Sequence, residues 1–427
     1  MIGIIALLVL FILIALKIPI AFSMFLVGFG GLAITKGMTQ AISMAGSTSY
    51  HAIANWLYLV IPMFILMGEF AGASNIISDL FYCFKVWFGK VRGALALVTV
   101  FTSMIFAFAT GSTLAATAVM GKVALPEMAR AGYKPRIALS SVLGGGTLGN
   151  MIPPSIGLTL FGILTEQSIG KLLIAGIMPG LLVTALLLLL IIIWAYRDKE
   201  AAPLTGTGTW RERFLSLKNT IWMILLLIVV LGGIYTGIVT TTEAATIGAF
   251  GSFLIGIALR RLNMTKIKEC LTNTMSLSAV IFFLLFSVAL FTRFLALSGF
   301  TNQLIRVVTS SGISPMLTLL LIIVIFIFMG CIMDATSMML LVVPVTFPIV
   351  VALGFNPIWY GVLSVAMVQI GQITPPVGMC VYVLKGVSGE NLEDCFSSAW
   401  SIVIIWLIAV AMLIIWPNIA LWLSSMM

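Results

Sequence analysis

Long apolar runs separated by short polar breaks cover this chain from end to end. Some, such as 181–196 and 401–416, carry no charge at all. A helix rises 1.5 Å per residue, so about 20 apolar residues cross a bilayer core. On that measure the pattern predicts elements at 2–16, 18–35, 57–81, 94–120, 138–165, 172–196, 221–240, 243–259, 271–298, 317–343, 358–384 and 397–423. The longest polar stretch, 197–219, reads as a connecting loop. The first run has no basic leader and no cleavage site, so it reads as a short first span rather than a removed signal.

Basic residues then set the sides, because cytoplasmic loops collect Lys and Arg. Lys85, Lys90 and Arg92 precede 94–120, and Lys122, Arg130, Lys134 and Arg136 follow it. Both flanks read as cytoplasmic, which a single crossing does not allow. The segment 94–120 is therefore expected to be a re-entrant hairpin with its tip at Ala109-Thr110-Gly111-Ser112-Thr113. Arg260, Arg261, Lys266 and Lys268 mark another cytoplasmic turn. The segment 317–343 has only Arg306 before it and no charge between Phe347 and Tyr360, as an outer-face hairpin requires.

The two hairpins belong to a repeat. Gly132-Tyr133-Lys134-Pro135 recurs as Gly354-Phe355-Asn356-Pro357 (354 − 132 = 222). The same offset places Pro126 on Pro348, Gly149 on Gly371, and Pro153-Pro154 on Pro375-Pro376. Breakers at matching places in two hydrophobic halves point to a duplicated transporter. The expected fold is an all-α polytopic membrane protein with two inverted-topology repeats, each of about five transmembrane helices and one re-entrant hairpin. The repeats are 1–196 and 220–427, joined by a cytoplasmic loop at 197–219, with unwound helices at 138–165 and 358–384.

Composition supports the membrane reading. Only 8% of residues are charged and 61% are hydrophobic, whereas soluble domains carry roughly 25% charge. The net charge of +9 sits at span ends, so it reads as a topology signal and no nucleic-acid partner is expected. Five cysteines show no metal spacing, and a lone histidine, His51, builds no cluster by itself. Glu69, Asp79, Glu166 and Glu243 fall near span ends and read as interfacial.

The chemistry is expected at the tips and the breaks. Gly111, Ser112 and Thr113 form one tip; Asp334, with Thr336 and Ser337 beside it, forms the other. Small hydroxyl residues and half-helix C-termini present oxygens to a hard cation such as sodium. An intramembrane carboxylate is costly and functional by default, whether it ligates a cation, takes a proton or pairs with a base. The candidate sodium ligands are Gly111, Ser112, Thr113, Gly149, Asn150, Gly330, Asp334, Thr336, Gly371 and Thr374. Each Pro-Pro pair interrupts its helix and frees N–H groups at the next half-helix, which suit an anion. The candidate substrate residues are Pro153, Pro154, Ser155, Ser337, Pro375, Pro376 and Val377, with Arg293 as the nearest intramembrane base. The alternative at each tip is that small residues only permit close helix packing.

An ordered set of motifs resembles the large membrane subunit of TRAP (tripartite ATP-independent periplasmic) transporters. It comprises Ile61-Pro62-Met63-Phe64 with Met67-Gly68, Gly111-Ser112, Gly132-Tyr133, Ile152-Pro153-Pro154-Ser155, Pro179-Gly180, Thr242-Glu243-Ala244, Asp334 and Thr374-Pro375-Pro376-Val377-Gly378. One departure is Thr240-Thr241-Thr242-Glu243-Ala244, where such proteins often hold a proline; it touches a helix start, not the sites. The resemblance implies a sodium-coupled importer of an organic acid, such as a C4-dicarboxylate or sialic acid. It implies an elevator mechanism, with a transport domain sliding against a scaffold in the bacterial inner membrane. The implied partners are a small four-helix membrane subunit, a periplasmic substrate-binding protein and membrane lipid, with Na+ as coupling ion. No fused small subunit is expected. The other readings are a stand-alone sodium-coupled dicarboxylate carrier, a passive channel, and an intramembrane enzyme, for which polar catalytic groups are few. An ATP-driven permease lacks a nucleotide-binding loop here.

Overall fold

A computed structural model describes residues 2–204, 209–310 and 312–426, with side chains except at 52–53, 108–110 and 219. The described residues form helices and connecting turns, with no strand among them. The first half holds α1 (Ile2–Ala15), α2 (Ile20–Lys36), α3 (Met38–Ala54), α4 (Val60–Ala73), α5 (Ile76–Phe88), α6 (Ala94–Thr110), α7 (Thr113–Arg130), α8 (Pro135–Thr147), α9 (Ile156–Thr165) and α10 (Ile169–Arg197). The second holds α11 (Trp210–Tyr235), α12 (Thr241–Ala258), α13 (Met264–Leu297), α14 (Phe300–Ser310), α15 (Pro315–Gly330), α16 (Ala335–Ala352), α17 (Pro357–Ile373), α18 (Met379–Ser388), α19 (Leu392–Ile415) and α20 (Asn418–Ser424). The 222-residue spacing runs through these bounds: α16 starts and ends 222 residues after α7 (335 − 113, 352 − 130), and α17 starts 222 after α8 (357 − 135).

Six helices among the described residues are long and apolar enough to cross a membrane. Their outer faces are apolar too. The shorter α15 buries Leu319, Ile322 and Phe326 and exposes Leu320, Val324 and Phe328. A helix apolar all round needs an apolar solvent or complete burial, so this face meets lipid. Polar residues cap several of the helices. Thr209 with Glu212, and Thr240 with Glu243, form reciprocal capping boxes, and the second of these works without the proline common at that place.

Several boundaries differ from the sequence expectation, each for a local reason. The stretch 57–81 is not one span: α4 stops at Ala73, and Asn75 in the left-handed region (φ 53°) turns the chain into α5. The connecting loop is shorter than 197–219, because Thr209 caps α11 and Trp210, its first residue, lies inside the expected loop. The arm after the second tip runs to Ala352, through Pro344 and Pro348. The last span breaks at Pro417. The helices α3 and α14 are additions. The basic clusters form the ion pairs: Lys85 with Glu127, Lys134 with Asp198 at 2.6 Å, and Arg261 with Asp79 at 2.5 Å. The Lys134 bond holds the Asp198 carboxyl below the usual carboxylate range. All five cysteines are free and buried.

Candidate substrate and ion site

The first tip is built from a helix end, a turn and a helix start. Gly111 follows α6 at φ +56°, a conformation open to glycine. A Cβ there would also lie 2.7 Å from the Pro154 carbonyl oxygen. Ser112 is extended and opens α7 without capping it through its side chain. Those first amides are left to other acceptors. Thr113 Oγ1 donates to Gln369 Oε1 at 2.8 Å, which ties this tip to α17 of the other half.

The second tip follows α15. Asp334 is extended and caps α16, its Oδ2 accepting from the Thr336 N–H at 3.0 Å and the Ser337 N–H at 3.2 Å. Both bonds fall on one carboxylate oxygen.

Each tip packs against a broken helix. In the first break, α8 tightens into a 3-10 turn at Leu148–Asn150, then passes Pro153 and Pro154 before Ser155 caps α9. Side chains hold this break open. Ser155 Oγ donates to the Asn150 carbonyl and accepts from the Leu158 N–H at 3.1 Å, and Asn150 Oδ1 accepts from the Gly157 N–H at 2.8 Å. In the second break, α17 ends at Ile373, and Gly378 at φ +58° opens α18 with no side-chain cap. One backbone tie is made twice, 222 residues apart on the donor side (378 − 156): Ile156 N–H to Gly111 O at 3.4 Å, and Gly378 N–H to Cys331 O at 3.3 Å. Glycines close the contacts. A Cβ on Gly149 would lie 2.8 Å from Ser112 O, and one on Gly371 would lie 2.5 Å from Gly330 Cα.

Both tips meet at one small cavity of about 60 Å³. It is lined by Gly111, Ser112, Thr113, Asn150, Asp334, Thr336 and Gln372, among others. A larger cavity of about 620 Å³ shares Ser112, Leu114, Ile156, Asp334 and Thr336 with it, and extends along α4 and α13 to Glu69, Glu269 and Asn273. Asn273 Nδ2 donates to Glu69 Oε2 at 3.1 Å.

Residues 7–419 match the family model of the tripartite ATP-independent periplasmic transporter, DctM component. The chain belongs to that family. It is the large membrane subunit of a TRAP transporter, a multi-pass membrane protein. The C4-dicarboxylate TRAP transporter large permease protein DctM of Pseudomonas aeruginosa is 31% identical over 371 residues, covering 87% of this chain and 86% of that one. The sialic acid large permease protein SiaM of Vibrio cholerae is 27% identical over 409 residues, covering 96% and 95%. The ectoine/5-hydroxyectoine large permease protein UehC of Ruegeria pomeroyi is 28% identical, covering 95% and 93%. In fold, the subunit is similar to the YdaH transporter of Alcanivorax borkumensis, with a TM-score of 0.69 at 16% identity over 91% of this chain and 90% of that one.

Within this TRAP subunit the expected residues separate into layers. Gly111, Ser112, Thr113, Asn150, Asp334 and Thr336 line the small cavity, and Ser337 lines the large one. Gly149, Gly330 and Gly371 make the backbone contacts behind it. Thr374 Oγ1 bonds back to Ile370 O at 2.6 Å, within its own helix. Pro153, Pro154, Ser155, Pro375, Pro376 and Val377 frame the breaks and line neither cavity. Asn150 differs from a simple oxygen ligand: its Oδ1 serves Gly157, and its buried Nδ2 has no hydrogen-bond partner. Arg293 is not at the tips; it donates to Thr48 Oγ1 at 3.4 Å and lines a separate cavity.

Glu69, Glu269, Asn273, Gln369 and Gln372 join the site without having been expected there. Gln372 was readable, because it is Asn150 moved by 222 positions (372 − 150). Glu69 was readable as a carboxylate inside an apolar helix. Asp79, also expected at an interface, pairs with Arg261.

Proposed function

We propose that this subunit imports a small organic carboxylate together with sodium, by an elevator movement of its tips and broken helices against a scaffold. The observation that carries the reading is the small cavity on which both tips converge. Sodium would sit against the helix C-terminal carbonyls at the tips and the Asp334 oxygen that caps nothing. A substrate carboxylate would meet the uncapped first amides of α7. In this reading the two halves are inverted repeats and the membrane is the bacterial inner membrane. C4-dicarboxylates and sialic acid are the first substrates to test, since the relatives are named for them. A small membrane subunit and a periplasmic binding protein complete the assembly. The large cavity runs toward the Lys266 and Lys268 end of α13, so this conformation reads as open to the cytoplasm.

The test is uptake into proteoliposomes holding the full assembly. With the binding protein present, an inward sodium gradient is expected to drive labelled succinate or sialic acid at least about tenfold faster than potassium does, since a 1.4 kcal/mol coupling is a factor of ten. Uptake that ignores sodium but follows a proton gradient would make Asp334 a proton carrier. Uptake without the binding protein would favour a stand-alone carrier.

The topology has its own test. Cysteines at Lys122 and at Asn356 are expected to react with an impermeant reagent from opposite sides of the membrane. Reaction of both from one side would overturn the inverted repeat.

A further inference from the structure

A cavity of about 560 Å³ stands apart from the tips. Thr48, His51, Asn55, Tyr58, Glu166 and Arg293 line it. It lies along the opposite half of α13 from the large cavity: Leu284 lines the one at the tips, and Leu285 lines this one. Glu269 and Arg293 are 24 positions apart on α13 (293 − 269), about 36 Å along a helix, close to the thickness of a bilayer core. The helix begins among Lys266 and Lys268, so the Arg293 end faces outward.

The two cavities differ in charge. The one at the tips holds Glu69, Glu269 and Asp334 and no lysine or arginine. Lys266, near its rim, is spent on the Ala73 and Arg261 carbonyls. The outer cavity holds Arg293, and among the described residues no carboxylate pairs with it. Thr48, which accepts from the arginine, and His51, Asn55 and Tyr58, which can donate, share the cavity with it. The one acid there, Glu166, sits on the turn between α9 and α10, next to the first broken helix; in the proposed elevator movement it would travel with the tips.

We infer that the outer cavity is a receiving site for an organic carboxylate, centred on Arg293, and that Glu69 and Glu269 give the inner cavity the opposite character, which favours release. The inference rests on the proposed function for its direction and for setting Glu166 apart from Arg293. An anion meets a fixed cation on the side where substrate arrives. It meets fixed anions on the side where it leaves. The scaffold thereby makes one shared site bind more tightly outside than inside.

Single cysteines test this in the assembled transporter, with the native cysteines replaced by serine. Ala289 lines the outer cavity and Leu277 the inner one. At each position the rate of modification is measured with a sulfonate-bearing and a trimethylammonium-bearing methanethiosulfonate. The sulfonate is itself a small organic anion. The anion-to-cation rate ratio is expected to be about tenfold higher at 289 than at 277, as unit charges within several ångströms in wet cavities produce. Arg293→Gln should lower the ratio at 289 about fivefold, and Arg293→Lys should retain it. Glu69→Gln with Glu269→Gln should raise the ratio at 277. Equal ratios at the two positions, or a ratio at 289 indifferent to Arg293→Gln, overturn the inference. The reagents need no transport, so a protein that shows this polarity yet takes up nothing with sodium defeats the proposed function and leaves the polarity standing.

Discussion

Gly371→Ala is expected to abolish transport in a chain that still inserts into the membrane. The added Cβ would lie 2.5 Å from Gly330 Cα, 2.8 Å from its carbonyl carbon and 3.2 Å from Ile327 O. Every one of these atoms is backbone, so no side chain can swing aside. Overpacking costs about 1–3 kcal/mol even where side chains relax. Here α15 and α17 have to part. That separates the second tip from the second break, strains the Gly378–Cys331 bond and moves Asp334 off the shared cavity. A loss of more than about 100-fold in uptake follows if the site must pay about 2.7 kcal/mol to reassemble. Gly386 is the control. It is helical, has no atom within 4 Å of the place a Cβ would take, and so should accept alanine at near wild-type uptake. Equal transport by Gly371→Ala and Gly386→Ala would mean that the tip and the break need not touch.

The tips and breaks were legible because they are written in residues with strong local rules. A Pro-Pro pair interrupts a helix where single prolines such as Pro344 and Pro348 are carried inside one, glycine marks close approach or left-handed backbone, and an aspartate in an apolar run must have a purpose. Their repetition at one spacing made each copy evidence for the other. What stayed hidden depends on neighbours. The helix α3 carries Thr39, Gln40, Ser43, Ser47, Ser49 and His51 and no apolar run, so its helicity owes more to packing against α2 and α13 than to its own pattern. The helix α14 is a short amphipathic segment of the kind that forms at an interface the sequence does not display. Arg293 looked like a partner for Asp334 because both interrupt apolar stretches. Along α13, though, it belongs to the outer cavity, and the distance between the two residues is a tertiary fact. Asn150 was readable as a polar residue beside a break. Which of its two ends faces a ligand was not, since the Gly157 N–H across the break decides it.

The two proline pairs look equivalent in sequence, yet replacing them should not be equivalent. Removing both prolines of a pair favours a continuous helix by roughly 3 kcal/mol for each interior proline avoided. At the first break that gain is opposed. Ser155 caps α9, Asn150 accepts from Gly157, and these bonds survive Pro153→Ala with Pro154→Ala. A helix cap of this kind is worth about 0.5–2 kcal/mol. At the second break no side chain caps α18, and Thr374 bonds only to its own helix. The prolines and Gly378 at φ +58° keep it open, helped only by a long Cys380 Sγ bond to Gln372 Oε1 at 3.7 Å and the Gly378 N–H bond to Cys331 O. Pro375→Ala with Pro376→Ala should therefore let α17 grow toward α18 and withdraw Gln372 and the second tip from the cavity. Uptake by that variant is expected to fall at least about tenfold below that of the Pro153→Ala, Pro154→Ala variant. Its thermal stabilisation by sodium should shrink as well, because a ligand stabilises only the state that binds it. Folding is not the obstacle, since a closed helix is the better local structure. Adding Ser155→Ala to the first pair removes the cap and should bring that variant down to the level of the second. If the second pair can be replaced with no loss of uptake or of sodium stabilisation, the break is a kink without a ligand. If instead the first pair is the more damaging, the capping bonds at Asn150 and Ser155 do not hold the break, and the two halves divide the work differently.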